Sequence, residues 1–216
     1  MNRDIRKAMF RNVDIYPVTC EALSAGRSNP EVLEAVIRGG AKIIQLREKD
    51  YSTRVLYELA LRFREITAGA DVLLIINDRL DIALAVEADG VHLGQDDLPL
   101  KAARKLAPEL LIGISTHSPE EALQAQADGA DYINIGPIFP TKTKMGVGHA
   151  LGPDAIALFQ KNIEIPFTVM GGINESNIDQ VLARGVRRVA MVTAITQAPD
   201  IAGAVRSLKK RIKGTD

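Results

Sequence analysis

Eight short apolar runs recur along the chain, each separated from the next by a stretch that reads as helix or as turn and helix. The runs are Val13–Thr19, Lys42–Leu46, Val72–Asn77, Gly90–Leu93, Leu111–Ser115, Tyr132–Ile135, Phe167–Met170 and Arg188–Val192. They are rich in Val and Ile and do not alternate with polar residues. Such runs suit strands buried on both faces, as parallel strands are. Between them, Pro30–Arg38 places Val32, Ala35, Val36 and Gly39 on one helical face, and Thr53–Ile66 does the same with Val55, Leu56, Leu59, Ala60 and Phe63. Pro119–Ala127 and Glu175–Ala183 are expected as helices opened by Ser118-Pro119 and Asn174, and a last helix is expected over Pro199–Ile212. Small-residue turns before the next strand, at Gly39-Gly40, Asp89-Gly90, Gly129 and Gly185, suit left-handed helix ends. The unit repeats about every 27 residues. Strict alternation with eight strands predicts an α/β fold, a single-domain (β/α)8 TIM barrel over 1–216 with a short N-terminal extension over 1–12. An open doubly wound sheet is the alternative.

Composition narrows the partners. Lys plus Arg and Asp plus Glu are each 27, so net charge is zero, which argues against a nucleic-acid grip built on phosphate neutralisation. No apolar run reaches the ~18 residues of a membrane span, and residues 1–12 lack a signal-type apolar stretch. A single cysteine, Cys20, excludes an internal disulfide and a multi-cysteine zinc site, and reads as a small packing residue. The expectation is a cytoplasmic protein, with apolar helix surface compatible with a homo-oligomer.

In a barrel, chemistry sits after the C-terminal ends of the strands. Polar and charged residues crowd that rim: Gln45 to Lys49, Asn77-Asp78, His92 to Asp97, Ser115 to His117, Gly136 to Lys144, Gly171-Gly172 and Val192-Thr193. The turns of the opposite rim are mostly Gly, Ala and Asp. Gly171-Gly172 and Val192-Thr193 stand where barrels build phosphate cradles from backbone N–H groups, although Gly-Gly also suits a plain tight turn before Asn174. Arg47, Lys49 and Lys144 add cations suited to a polyanion. Asp78 and Asp97, after neighbouring strands, are candidate Mg²⁺ ligands. The competing reading pairs Asp78 with Arg79 or Lys49 and makes Asp97 or Asp96 a cap of the helix beginning near Pro99. The three histidines, His92, His117 and His149, do not form a zinc pair, and His92 reads as support for strand four. Ser115-Thr116-His117 lacks the glycines of a nucleophile elbow.

Taken in order, Gln45-Leu46-Arg47-Glu48-Lys49, Asn77-Asp78, His92 to Asp97, Gly136 to Lys144 and Gly171-Gly172-Ile173 resemble the thiamine-phosphate synthase family, over roughly Tyr16 to Gln197. The resemblance implies an Mg²⁺-assisted transferase that joins a hydroxymethylpyrimidine diphosphate to a thiazole phosphate and releases pyrophosphate. It implies that Gln45, Arg47, Lys49, Asn77 and Lys144 hold the pyrimidine diphosphate, that Asp78 and Asp97 bind the metal, and that Ser115 faces the diphosphate. Arg47, Lys49, Ser115 and Lys144 would then be catalytic. Thr141, Thr143, Gly172, Val192 and Thr193 would hold the thiazole phosphate. Two segments depart from the family pattern: Cys20 stands where the family usually has Asp, and Met145–Leu151 differs from the usual loop.

In the reaction that the resemblance implies, the thiazole nitrogen attacks through a lone pair and loses no proton, so no general base is required, and none stands out. The rim is suited to stabilising a leaving anion, and the expected substitution is dissociative. A sugar-phosphate epimerase or isomerase barrel would want an acid/base pair instead. A thiazole tautomerase would lack much of the diphosphate and metal set, and a non-catalytic phosphate sensor would have no use for paired carboxylates.

Overall fold

The computed structural model describes residues 1–141, 143 and 149–214. Its eight strands are β1 (Ile15–Pro17), β2 (Ile43–Leu46), β3 (Leu73–Asn77), β4 (Gly90–Leu93), β5 (Leu111–Thr116), β6 (Tyr132–Ile135), β7 (Phe167–Val169) and β8 (Val189–Met191). All neighbours pair in parallel, in the order β1-β8-β7-β6-β5-β4-β3-β2. Just beyond β1, Val18 bridges Gln45, and the Thr19 N–H donates to the Gln45 carbonyl at 2.9 Å. That link joins β1 to β2 and turns the sheet into a barrel, as expected, rather than an open doubly wound sheet.

The helices follow in chain order: α1 (Arg3–Arg11), α2 (Asn29–Arg38), α3 (Thr53–Gly69), α4 (Leu80–Ala85), α5 (Leu100–Leu106), α6 (Pro119–Ala127), α7 (Ile156–Gln160), α8 (Ile178–Leu182), α9 (Thr193–Thr196) and α10 (Ile201–Lys213). Their starts have local causes. The Ser28 N–H donates to Glu31 at 2.8 Å in a capping box before α2, and Ser118 accepts from the Glu121 N–H with Pro119 opening α6. Val32, Leu33 and Val36 of α2 are fully buried against the sheet, each contributing about 1.5–3 kcal/mol of apolar burial.

Two expectations need correction. Asn174 does not open a helix. Its side chain accepts from Ser176 and its N–H donates to Asn177, so it shapes a turn, and α8 begins only at Ile178. Gly90 is not a left-handed helix end: it lies in β4, and Glu87 takes the positive φ of 52° instead. Gly90 is glycine for space, because a Cβ there would meet the Leu111 carbonyl at 2.5 Å. Gly40, Gly129 and Gly185 do have positive φ.

Two packed shells result. Apolar outward-facing strand residues such as Ile44, Leu74, Ile112 and Ile133 pack under the helices. Inward-facing Tyr16, Ile43, Leu73, Ile75, Leu111, Tyr132 and Ala190 fill the barrel. The N-terminal segment closes the barrel's lower end as α1. Phe10 stacks on Tyr132 with ring centroids 4.2 Å apart. Arg3 and Arg104 flank buried Asp131 at 2.8 and 2.6 Å, and Arg64 reaches buried Asp89 at 2.7 Å. Those aspartates also accept the strand N–H groups of Ile112 and Leu74, both at 2.9 Å. The lower rim is therefore occupied by structural ion pairs, and the upper rim is left to form a site.

Candidate active site

Period-two alternation sends every second strand residue into the barrel. Near the upper ends those residues turn polar: Gln45 on β2, Asn77 on β3, His92 on β4, Ser115 on β5, Asn134 on β6 and Thr168 on β7. Five of these six, Thr168 excepted, line an upper cavity of about 510 Å³. Around its mouth stand Arg47, Lys49, Asp78, Asp97, Thr141, Thr143, Gly172, Val192 and Thr193. Thus Gln45, Arg47, Lys49, Asn77, Asp78, Asp97, Ser115, Thr141, Thr143, Gly172, Val192 and Thr193 share one cavity. Lys144, and with it most of Met145–Leu151, lies outside the described residues.

The carboxylate side is strained and crowded. Asp78 follows β3 with φ 59°, in the left-handed region that a side chain other than glycine adopts at a cost. Its N–H donates to the His92 carbonyl at 2.8 Å, which holds the turn beside β4. Its carboxylate pairs with the Lys49 ammonium, so one of the two structural alternatives is realised; Arg79 pairs with Asp81 at 2.6 Å instead. Asp97 is not a helix cap: it accepts the Gly94 N–H at 2.6 Å, and α5 starts after Pro99 without a side-chain cap. Partial burial, and then the neighbouring Asp78 carboxylate, hold Asp97 above the usual carboxylate range.

This donor set fits a hard divalent cation. Two crowded carboxylates are relieved by positive charge between them. Among the described residues no group of three or more His, Cys, Asp or Glu gathers around one point. Two protein carboxylates, completed by water and substrate oxygens, suit Mg²⁺.

On the β7 side the cavity is lined by the turn at Gly171 and Gly172. Gly171 and Gly172 have φ of 103° and 62°. A Cβ on Gly172 would meet the Pro140 carbonyl at 2.5 Å, so only glycine allows the loop after β7 to lie against the segment after β6. The Gly172 carbonyl accepts from Asn177 at 2.9 Å, which pins the turn. Thr143 donates its N–H to the Thr141 hydroxyl at 3.2 Å beside it. Cys20 sits near Arg47 and Glu48, half-buried, and burial pushes its thiol up. It is thus no activated nucleophile.

Sequence reasoning missed several lining residues: Asn134, Met170, Ala190, Met191 and Gln197, together with His92 in its true surroundings. Asn134 carried a signal, being a lone polar side chain inside an apolar run. The methionines carried none, since a Met in a strand reads as core. His92 is buried, but its ring meets Tyr132 at 3.1 Å and Ser115 at 2.9 Å, so it belongs to the site's floor.

A family model described as thiamine monophosphate synthase matches residues 15–195. A thiamine-phosphate synthase of Chloroflexus aurantiacus is 46% identical over 201 residues, covering 93% of either chain. One from Pelotomaculum thermopropionicum is 49% identical over 197 residues, covering 91% of this chain and 90% of its own. The solved thiamine phosphate pyrophosphorylase from Pyrococcus furiosus superposes with a TM-score of 0.86 at 36% identity, over 97% of this chain and 98% of its own.

Proposed function

Because the chain belongs to the thiamine monophosphate synthase family, we propose that its upper cavity is divided between a pyrimidine diphosphate and a thiazole phosphate. The reaction is the condensation that forms thiamine phosphate, and the chain is a transferase of thiamine biosynthesis. In it the C–O bond between the pyrimidine methylene and the diphosphate breaks, with its electron pair leaving on pyrophosphate. The thiazole nitrogen lone pair forms the new C–N bond.

The supporting observation is the asymmetry of one cavity. Arg47, Lys49, Asn77 and the Asp78–Asp97 pair gather on the β2–β4 side, and Gly172, Val192 and Thr193 on the β7–β8 side. The first group suits a diphosphate. Asp78 and Asp97 would hold Mg²⁺, which when bound supplies positive charge beside the departing phosphates. Arg47 offers a fork of N–H donors and Lys49 a mobile ammonium. Lys49 pairs with Asp78, and a cation held by Asp78 would leave its ammonium for the diphosphate. Lys144 would join it from the segment after β6. Gln45 engages its amide nitrogen on Tyr16 at 2.9 Å. Its carbonyl is then the acceptor for a ring amino group. The second group, with Thr141 and Thr143, suits a monophosphate held by backbone and hydroxyls.

The thiazole nitrogen has no proton to lose, so the reaction asks for no general base among the lining residues. Arg47, Lys49, Ser115 and Lys144 would act by stabilising charge as it moves onto the leaving group. Holding both rings in one cavity adds the advantage of proximity. The full diphosphate set separates this reading from a thiazole tautomerase. Among the described residues no helix is long and apolar enough to cross a membrane. We place the protein in the cytoplasm, where its one cysteine stays reduced. The test is pyrophosphate release from the two substrates with and without Mg²⁺. Release that requires both substrates and the metal is expected; none with both present would overturn the assignment.

A further inference from the structure

The interior of the barrel holds a continuous row of polar side chains beneath the site. The Gln45 amide nitrogen donates to the Tyr16 hydroxyl at 2.9 Å, and the Tyr16 and Tyr132 hydroxyls lie 3.0 Å apart. Tyr132 reaches His92 Nδ1 at 3.1 Å, and His92 Nε2 reaches Ser115 Oγ at 2.9 Å. Both tyrosines are fully buried, and burial pushes their phenols up, so neither ionises in the working range. Ser115 is tied at its own carbonyl by Gln95 at 2.6 Å, which fixes the backbone from which its hydroxyl projects.

With a neutral imidazole at its centre, such a row has two self-consistent directions. If Gln45 donates, Tyr16 accepts and passes its own hydrogen to Tyr132, and Tyr132 donates to His92 Nδ1. The neutral imidazole then carries its hydrogen on Nε2 and donates to Ser115, whose hydroxyl hydrogen is left for the cavity. If the Gln45 amide is turned over, every bond reverses and the Ser115 hydrogen points down at His92. The two substrate ends discriminate between these directions. The first presents an acceptor, the Gln45 carbonyl, to a ring amino group and a donor, Ser115, to an anion. The second mismatches both.

We propose that the row Gln45–Tyr16–Tyr132–His92–Ser115 is a directional hydrogen-bond chain that makes Ser115 a donor to the diphosphate, with His92 and Tyr132 as its positioning residues. The proposal deepens the reading above and rests on it. It also gives a reason for polar atoms deep in an otherwise apolar barrel. A phenylalanine at 132 would pack as well but would leave the imidazole tautomer unset.

Two measurements test it. The first is ¹⁵N NMR of the histidine rings in the wild-type protein with pyrophosphate and Mg²⁺ bound, the His92 signals being assigned by their loss in His92→Gln. A neutral ring protonated at Nε2 is expected; a ring protonated at Nδ1, or at both nitrogens, overturns the chain. The second is single-turnover kinetics. Tyr132→Phe and Ser115→Ala should each slow the chemical step by about tenfold or more, the scale of one hydrogen bond to a charged group. The double variant should be no slower than Ser115→Ala alone, because Tyr132 acts through Ser115. His92→Gln, which keeps a donor near the Nε2 position, should recover most of the rate lost in His92→Leu. Multiplying effects in the double variant, or no difference between His92→Gln and His92→Leu, would sink the proposal. Wild-type turnover with both substrates tests the underlying reading separately, and the NMR result stands even if Tyr132→Phe or Ser115→Ala folds poorly.

Discussion

Gly113 offers the sharpest test of how the barrel is packed beneath the site. It lies on β5, facing the ring of Tyr132. A Cβ at this position would stand 2.0 Å from Tyr132 Cζ and 2.4 Å from its hydroxyl oxygen. Carbon atoms in good contact sit about 3.5–4.0 Å apart, so in Gly113→Ala the ring has to withdraw by about 1.5–2 Å. It has little room to do so. Tyr132 is fully buried, with Phe10 stacked at 4.2 Å and the Tyr16 ring edge-on at 6.2 Å. Overpacking of this kind costs about 1–3 kcal/mol. A displaced hydroxyl also loses Tyr16 and His92, at about 1 kcal/mol for each bond. The sum is about 3–5 kcal/mol, and for a chain of this size each kcal/mol lowers the melting temperature by about 2–4 °C. Calorimetric melts of the ligand-free protein should therefore show Gly113→Ala about 6–20 °C below wild type. Adding Tyr132→Leu, which removes the clashing atoms, should cost less than the sum of the two single changes. A Gly113→Ala protein melting within about 2 °C of wild type, or strictly additive losses in the double variant, would refute this account of the interior.

Three further outcomes are expected. Asp78→Asn should cut turnover by at least ~10²-fold and abolish the Mg²⁺ response in pyrophosphate-release assays, with the melting temperature nearly unchanged because the side chain sits at the rim; undiminished turnover in EDTA would contradict the metal assignment. Because Asp97 is held above the usual carboxylate range, ionised Asp97 becomes scarcer as pH falls through that raised value, so Mg²⁺ affinity should weaken toward acid; the linked stability term has the opposite sense, being present below the ordinary carboxylate value and lost as pH rises through the raised one, and Mg²⁺ titrations over a pH series, in wild type and Asp97→Asn, check the binding side. A pyrimidine diphosphate whose ring amino group is replaced by hydrogen should react much more slowly in single turnovers at saturation, and an unchanged rate would argue for direct displacement.

Much of the fold was legible because parallel strands are buried on both faces, so each appears as an unbroken apolar run. Those runs locate the strand ends, and the strand ends locate the rim. Gln45, Asn77, Ser115 and Asp78 could therefore be picked out without coordinates. Other features depend on partners distant in sequence. Phe10 reads as part of a charged extension until it is seen stacked on Tyr132. Gly90 reads as a turn glycine until Leu111 is seen against it. The role of His92 is set by Tyr132 and Ser115 on other strands, and no local pattern carries it. Asn174 misled because Asn favours both helix caps and Asx turns, and only the tertiary setting decides between them.

The division of the cavity is most directly tested by a crystal structure with thiamine phosphate, pyrophosphate and Mg²⁺ bound together. The account predicts pyrophosphate against Arg47 and Lys49, with the metal on Asp78 and Asp97, and the thiamine phosphate group on Gly172, Val192 and Thr193. Pyrophosphate in the glycine cradle, with the monophosphate beside the two carboxylates, would contradict it.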